Sequence, residues 1–181
     1  AGSQLISVAD RWDSFTSGGA GGCFTSSSRV DFTNNAIMVG GTWSQKAAAS
    51  YTLNGAAISP NGSIAVVYNG NIVISYDSGG SWSASGSSSN GLVEFDNNNM
   101  GWKVSSNSLV GIGNNTGTFT FNNGTIVDLI RGQDGKMYAL SALNSGFTVA
   151  RYNGSNWTSS WISNPYLSLG KLAVDSEGDV W

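Results

Sequence analysis

The chain has 181 residues, and only 10% of them are charged, with 8 basic and 11 acidic side chains and a net charge of −3. This composition provides no basic face for nucleic acid, and no apolar run approaches the roughly 18 residues that a membrane span needs. Histidine is absent and Cys23 is the only cysteine. An intrachain disulfide, His-dependent nucleophilic catalysis and His-ligated metal sites are therefore excluded.

The N-terminal part of the chain combines two short candidate strands, at 5–8 and 11–15, with a Gly/Ser-rich stretch over 14–28. A second Gly/Ser-rich stretch covers 83–91. Such composition is typical of exposed connections between elements of regular structure. We expect connections at both places, and neither requires a function of its own.

One pattern recurs along the chain: an apolar strand, a turn rich in Asn, Asp and Gly, and a second apolar strand that carries an aromatic residue. The copies cover 57–66, 93–102, 129–138 and 172–181, with a weaker copy at 30–39. Asx side chains close such turns by hydrogen bonding to nearby backbone, and Gly supplies the positive φ that the turn needs. The pattern predicts a series of β-hairpins.

The spacing of these hairpins predicts the fold. The turn positions Gly62, Asn99, Gly135 and Gly178 are 36 to 43 residues apart, close to the period of a β-propeller blade. Helical periodicity is missing, because Gly or Asn-Gly interrupts almost every apolar run. The sequence therefore predicts an all-β chain, a small β-propeller of about five blades of short antiparallel strands. A β-sandwich or a β-fibre domain is the structural alternative.

We expect residues 1–181 to form a single propeller domain. The last hairpin, 172–181, stops as its second strand begins, which leaves that blade without outer strands. One solution is that residues 1–15 complete the blade and close the ring, which hides two sheet edges. The other is that the chain is a fragment of a longer protein, and the sequence leaves both open.

A second turn motif lies between the hairpins and reads Ser-x-Asp-x-Gly-x-x-Trp. It consists of Ser75, Asp77, Gly79 and Trp82. A degenerate copy keeps Asn153, Gly154 and Trp157. These residues resemble the Asp-box, or BNR-type, repeat of sialidase-like and related β-propellers. In that motif the residues build a turn and cover it with the Trp ring, which is a structural role.

The resemblance to sialidase-like glycosidases implies three substrate-binding arginines, a Tyr/Glu nucleophile pair and an acidic proton donor. The arginines here are Arg11, Arg29, Arg131 and Arg151, and they do not reproduce the expected pattern. We therefore expect no catalysis, with a fragment or divergent member of a sialidase-like glycoside hydrolase family as the alternative. Carboxylate chemistry would then fall to residues mostly in predicted turns. They are Glu94, Asp96, Asp128, Asp134, Asp175, Glu177 and Asp179.

Cofactor and metal motifs are also missing from the sequence. No phosphate-binding or dinucleotide-binding pattern is present, so we expect no cofactor. Asp175, Glu177 and Asp179 could offer three carboxylates to Ca²⁺. A polar hairpin turn is the favoured interpretation, because the same position of other copies holds ordinary turn residues.

Three aromatic residues recur on the second strand of the hairpins: Trp102, Tyr138 and Trp181. We interpret them first as packing between blades and second as a platform for glycans, which aromatic rings bind by stacking. The low charge and the Ser/Gly/Asn-rich composition resemble those of bacteriophage tail-fibre and capsid-decorating proteins. We therefore expect a binding or structural protein of a virion or cell surface, with a glycan or a structural protein as partner. A homo-oligomer is left open.

Overall fold

The computed structural model describes residues 28–31, 36–39, 42–45, 53–77, 81–163 and 170–181. All regular structure in these segments is β-strand, in four antiparallel sheets whose strands follow one another in chain order. Sheet 1 contains β1 (Ser28–Asp31), β2 (Ala36–Val39) and β3 (Thr42–Gln45). Sheet 2 contains β4 (Leu53–Ile58), β5 (Ile64–Tyr68), β6 (Asn71–Ser75) and β7 (Ser83–Ser87).

The remaining two sheets repeat the four-stranded plan of sheet 2. Sheet 3 contains β8 (Val93–Phe95), β9 (Gly101–Ser105), β10 (Ser108–Ile112) and β11 (Thr118–Thr120). Sheet 4 contains β12 (Thr125–Arg131), β13 (Met137–Leu143), β14 (Gly146–Tyr152) and β15 (Trp157–Ser163). A single antiparallel bridge between Val174 and Val180 follows.

The predicted hairpin turns adopt one backbone geometry in four places. In each, the amide of the first turn residue donates to the carbonyl four residues on, as from Asp96 N to Met100 O at 3.0 Å. The fourth residue has a positive φ, 63° at Asn99 and 90° at Gly178. This is a three-residue hairpin loop, a type I turn followed by a left-handed residue. The Asx and Gly residues of the repeat are placed where that geometry requires them.

The sheets lie side by side through their first strands. Strand β4 packs against β8, and β8 packs against β12. The first turns of neighbouring sheets also meet, since Asn61 N donates to Asn99 Oδ1 at 2.9 Å. Separate four-stranded meanders that join through their first strands form the arrangement of propeller blades. The all-β prediction is confirmed, and the alternative of two packed sheets does not describe these four sheets.

The predicted exposed connection at 83–91 is wrong for its first half. Residues Ser83–Ser87 form β7, the outermost strand of sheet 2, paired with β6. An outer strand is hydrogen-bonded to a neighbour on one side only and buries few side chains, so small, exposed residues such as Ser and Gly can form it. The predicted roles of 1–15 in ring closure and of most of 14–28 as a connection fall outside the described residues. No described residue lies in a helix long and apolar enough to span a membrane.

Candidate binding site

The Asp-box motif lies between the third and fourth strands of sheet 2 and forms a hydrogen-bonded turn. Asp77 Oδ1 accepts from Ser75 Oγ and from Ser81 N, both at 2.7 Å, and Oδ2 accepts from Ser81 Oγ at 2.7 Å. These bonds, led by those from Ser81, lower the pKa of Asp77 to about 2. The carboxylate is thus used inside the turn. Gly79 lies outside the described residues.

The degenerate copy takes the equivalent place in sheet 4, between β14 and β15. Asn153 Oδ1 accepts from Ser155 N at 3.0 Å and from Asn156 N at 2.9 Å. The Trp residues of the two motifs each lie against a core cluster: Trp82 in sheet 2 and Trp157 in sheet 4. Both motifs therefore close outer turns and cover apolar side chains.

Two of the three recurring aromatic residues are buried, so the second interpretation, a glycan platform, is wrong for them and the first, packing, describes them better. Trp102 and Tyr138 are 2% and 1% exposed. Trp102 makes edge contacts with Tyr152 and Trp157, at centroid distances of 5.0 and 5.3 Å. A ring enclosed on both faces cannot stack on a sugar. Trp102 packs between sheets 3 and 4, whereas Tyr138 packs between sheet 4 and the last hairpin, near Gly178. Trp181, by contrast, is 78% exposed.

The candidate calcium ligands belong to the last hairpin turn. Ligand atoms of Asp175, Glu177 and Asp179 lie within 4.8 Å of one another. However, Asp175 Oδ1 accepts from the backbone amides of residues 177, 178 and 179 at 2.9 to 3.0 Å. These amides lower the pKa of Asp175. Asp96 bonds in the same way in sheet 3, so this arrangement reflects the turn.

Other candidate carboxylates join neighbouring elements. Asp128 accepts from Lys171 Nζ at 3.0 Å and from Leu172 N at 2.8 Å, which ties β12 to the last hairpin. Asp134 accepts from Tyr138 Oη at 2.8 Å and from Lys136 Nζ at 3.1 Å. In the described part of the chain, these acids have polar partners that account for their position.

Glu94 and Asp96 differ from the other acids described above, because burial favours their neutral form. Glu94 lies on β8, opposite Trp102 in the register of β9, at the interface between sheets 3 and 4. Burial raises the pKa of Glu94 to about 7, against the opposing positive charge of Arg131. Burial also raises the pKa of Asp96. The charge of this interface therefore changes with pH.

The interface between sheets 3 and 4 opens outward into a groove of about 600 Å³. Its lining is uncharged. It comprises Phe119, Thr120, Phe121, Asn122, Asn123, Leu143, Ser145, Thr148, Ser159 and Trp161. Trp161 is 50% exposed. Small-molecule sites in proteins combine aromatic walls with a few polar groups in volumes of about 300–1,000 Å³. We call this feature the outer groove.

Sequence reasoning missed Trp161 and the outer groove. Trp157, Ser159 and Trp161 alternate along β15, which places their side chains on one face of the sheet. That alternation can be read from the sequence. The position of this face opposite β11, at the outer end of two sheets, depends on tertiary packing and cannot be read from the sequence.

No protein-family model and no curated protein matches this chain. The solved structures that are similar to this chain include two of YCF48. "YCF48 bound to D1 peptide" has 16% identity and a TM-score of 0.56, with 85% of this chain and 55% of that chain covered. "YCF48 from Cyanidioschyzon merolae" has 20% identity and a TM-score of 0.50, with 76% and 52% covered. The chain thus spans about half the length of these YCF48 chains. YCF48 is a β-propeller protein, and the likeness, which concerns the fold alone, shows that this chain has a fold of the β-propeller type.

Proposed function

We propose that this chain is a non-catalytic β-propeller module that binds a macromolecular partner, a glycan or a structural protein, on a virion or extracellular surface. The observation that carries the proposal is the outer groove, an open and uncharged cavity with aromatic and amide side chains. A YCF48 structure of similar fold is bound to a peptide, which supports the use of such a scaffold for binding.

The described carboxylates support a binding role rather than catalysis. Hydrolysis of a glycosidic bond by the ordinary route needs two carboxyl groups that face each other across a cleft. None of the described residues that line the outer groove carries a carboxyl group. Asp77, Asp128 and Asp175 each accept hydrogen bonds that hold a turn or join two elements. These carboxylates therefore have structural hydrogen bonds that account for their positions.

The proposed surface location rests on composition and exposure. Low charge and abundant Ser, Gly and Asn suit a protein that displays turns on a virion. Trp161, which lines the outer groove, is 50% exposed, and exposed tryptophan side chains are enriched where proteins meet partners. Association of several copies would multiply weak sites and increase avidity. Light scattering of the purified chain measures whether such copies form.

The test is a paired screen of one protein preparation on an oligosaccharide array and on an immobilised peptide library. We expect saturable binding to a restricted set of probes on one of the two. Hydrolysis of fluorogenic sialosides and hexosides is measured in parallel and should stay at the rate of buffer. Specific turnover that one carboxylate substitution abolishes would overturn the proposal, and so would the absence of selective binding on both surfaces.

A divergent sialidase-like hydrolase is the second candidate, and the Asp-box turn and Glu94 favour it. A carboxyl group with a pKa of about 7 stays partly protonated at neutral pH, as a proton donor in glycoside hydrolysis must. If this candidate is correct, Glu94→Gln abolishes turnover of a fluorogenic glycoside, whereas Glu177→Gln, an exposed substitution in the last hairpin, leaves it unchanged. Under the main proposal neither variant changes a rate that is already at background.

A further inference from the structure

The outer groove has two walls from different sheets. One wall consists of β11 and the segment that follows it, with Phe119 and Phe121. The other is the face of β14 and β15 that carries Thr148, Ser159 and Trp161. Thr148 and Trp161 are direct neighbours in the register of these two strands. A ligand in the groove would therefore contact the half-buried ring of Phe119 on one side, with the buried Phe121 behind it, and the ring of Trp161 beside hydroxyl groups on the other.

The aromatic wall is held in place before any ligand arrives. Phe119 stacks on Trp157 at a centroid distance of 5.5 Å and meets Phe121 edge-on at 5.1 Å. The backbone of Phe121 is bonded twice to Asn107, through Phe121 N to Asn107 O at 3.0 Å and through Asn107 Nδ2 to Phe121 O at 2.9 Å. Rigid walls lower the ordering cost of binding.

The polar side chains that line the groove are all uncharged and can form hydrogen bonds. They provide the hydroxyl groups of Thr120, Ser145, Thr148 and Ser159 and the amides of Asn122 and Asn123. None of the described residues that line the groove is Lys, Arg, Asp or Glu. A phosphate, a sialic acid or another anion would lose its hydration here without gaining an opposite charge. A ligand with uncharged hydroxyl groups loses nothing of this kind, because hydroxyls and amides can replace its water.

We infer that the outer groove binds a neutral carbohydrate, and that Trp161 is the ring on which a sugar stacks. A pyranose has apolar C–H faces that pack on an aromatic ring and a rim of hydroxyl groups that bond to Asn, Ser and Thr. This lining supplies both complements. The inference rests on the proposed binding function and names the ligand class and the site. It also replaces Trp102 and Tyr138, which are buried, as stacking residues.

A lone exposed tryptophan would not carry this inference. Trp181 is more exposed than Trp161, 78% against 50%, yet it does not line the groove. Trp161 instead shares a cavity with the half-buried ring of Phe119 and with the hydroxyl group of Thr148 on the adjacent strand. The difference between these two residues provides the control for the experiment.

The test measures binding of neutral oligosaccharides of hexose and N-acetylhexosamine, and of their sialylated forms, by array and then by titration of the strongest probe. The variants are Trp161→Ala, Thr148→Val and the matched control Trp181→Ala. We expect Trp161→Ala to weaken binding about tenfold or more, the equivalent of about 1.4 kcal/mol. Thr148→Val should weaken binding about threefold or more, and Trp181→Ala should leave it unchanged. Unchanged thermal unfolding of each variant establishes that its fold is intact.

Each other result overturns the inference in a recognisable way. Binding that survives both groove variants places the sugar elsewhere, and the proposed binding function stands. Preference for sialylated probes contradicts the neutral ligand class. Selective peptide binding that Trp161→Ala weakens, with no sugar bound, makes the groove a protein site. Hydrolysis of the probe overturns the proposed function itself.

Discussion

Two neighbouring interfaces of this molecule are filled in different ways. Between sheets 2 and 3 the buried side chains are small or aliphatic apart from Phe95. Between sheets 3 and 4 the cluster contains Trp102 and Phe121, with Phe119, Tyr152 and Trp157 packed against it. The same register position, three residues after the positive-φ residue of the turn, is Ala65 in sheet 2 and Trp102 in sheet 3. One turn design therefore supports two kinds of packing.

The difference shows how a repeat fold acquires a specific feature. Sheets 2 and 3 come so close that Gly55 has no space for a side chain beside the backbone of Gly91. Sheets 3 and 4 instead hold a cluster of rings, with Glu94 beside it and the outer groove at its outer end. Aromatic rings are rigid and fill an irregular space between two sheets less completely than aliphatic side chains do. Glu94 and the outer groove therefore both lie beside the ring cluster.

The largest effect should come from removing the central ring. Trp102→Ala should reduce the free energy of unfolding by about 3–5 kcal/mol, because it leaves a cavity among Tyr152, Trp157 and the aliphatic side chains. In the aliphatic interface, Ile74→Val should cost only about 0.5–1.5 kcal/mol. Urea unfolding of both variants measures the comparison. Equal losses would mean that the ring cluster does not dominate the stability of its interface.

The next effect concerns pH. The pKa of Glu94 is about 7 in the folded chain against 4.5 as its ordinary value, so the folded state retains a proton that the unfolded state releases. Stability at this site is therefore fully present below pH 4.5 and falls, by about 3 kcal/mol at most, as pH rises through 7. Glu94→Gln should flatten the dependence of the urea midpoint on pH between 4.5 and 7.

The matched control for Glu94 is Glu177→Gln, which changes an exposed carboxylate in the last hairpin. Its urea midpoint should keep the slope of the unmodified chain. If Glu94→Gln keeps the same slope as Glu177→Gln, the pH dependence does not originate at Glu94.

The smallest effect contrasts the two outer turns. Asp77→Ala removes three hydrogen bonds and should lower the urea midpoint at pH 7. The pKa of Asp77 is lowered to about 2, so this stabilisation is present above pH 3.8 and is lost as pH falls through 2. The deficit of Asp77→Ala should therefore shrink in acid. Asn153→Ala should show a deficit that is independent of pH in this range, since an amide does not titrate; a parallel pH response in both variants would refute the contrast.

The hairpin turns could be predicted from the sequence because their chemistry is local. A turn residue with positive φ and an Asx side chain that bonds two residues ahead need no information from elsewhere in the chain. The strand at Ser83–Ser87 could not be predicted in this way, because its side chains are exposed and only its pairing with β6 makes it a strand. Local composition there indicates a loop.

The aromatic residues also show the difference between what local sequence predicts and what depends on tertiary packing. The recurrence of Trp102 and Tyr138 is visible in the sequence, but their burial depends on the element that follows along the chain, sheet 4 for Trp102 and the last hairpin for Tyr138. Trp161 does not recur, and its exposure follows from the position of β15 at the outer end of sheet 4. Periodicity thus identifies residues that build the repeat, whereas the candidate site uses a residue that departs from it.

The contact between the first turns has a consequence for the order of the repeats. The backbone amide of Asn61 donates to the side chain of Asn99. The position equivalent to Asn99 in sheet 4 is Gly135, which has no side chain and lies against Asn97. A chimera with sheets 3 and 4 exchanged would keep every hairpin yet lose both contacts. The first turns of sheets 2, 3 and 4 are therefore matched to their order along the chain, although they share one backbone geometry.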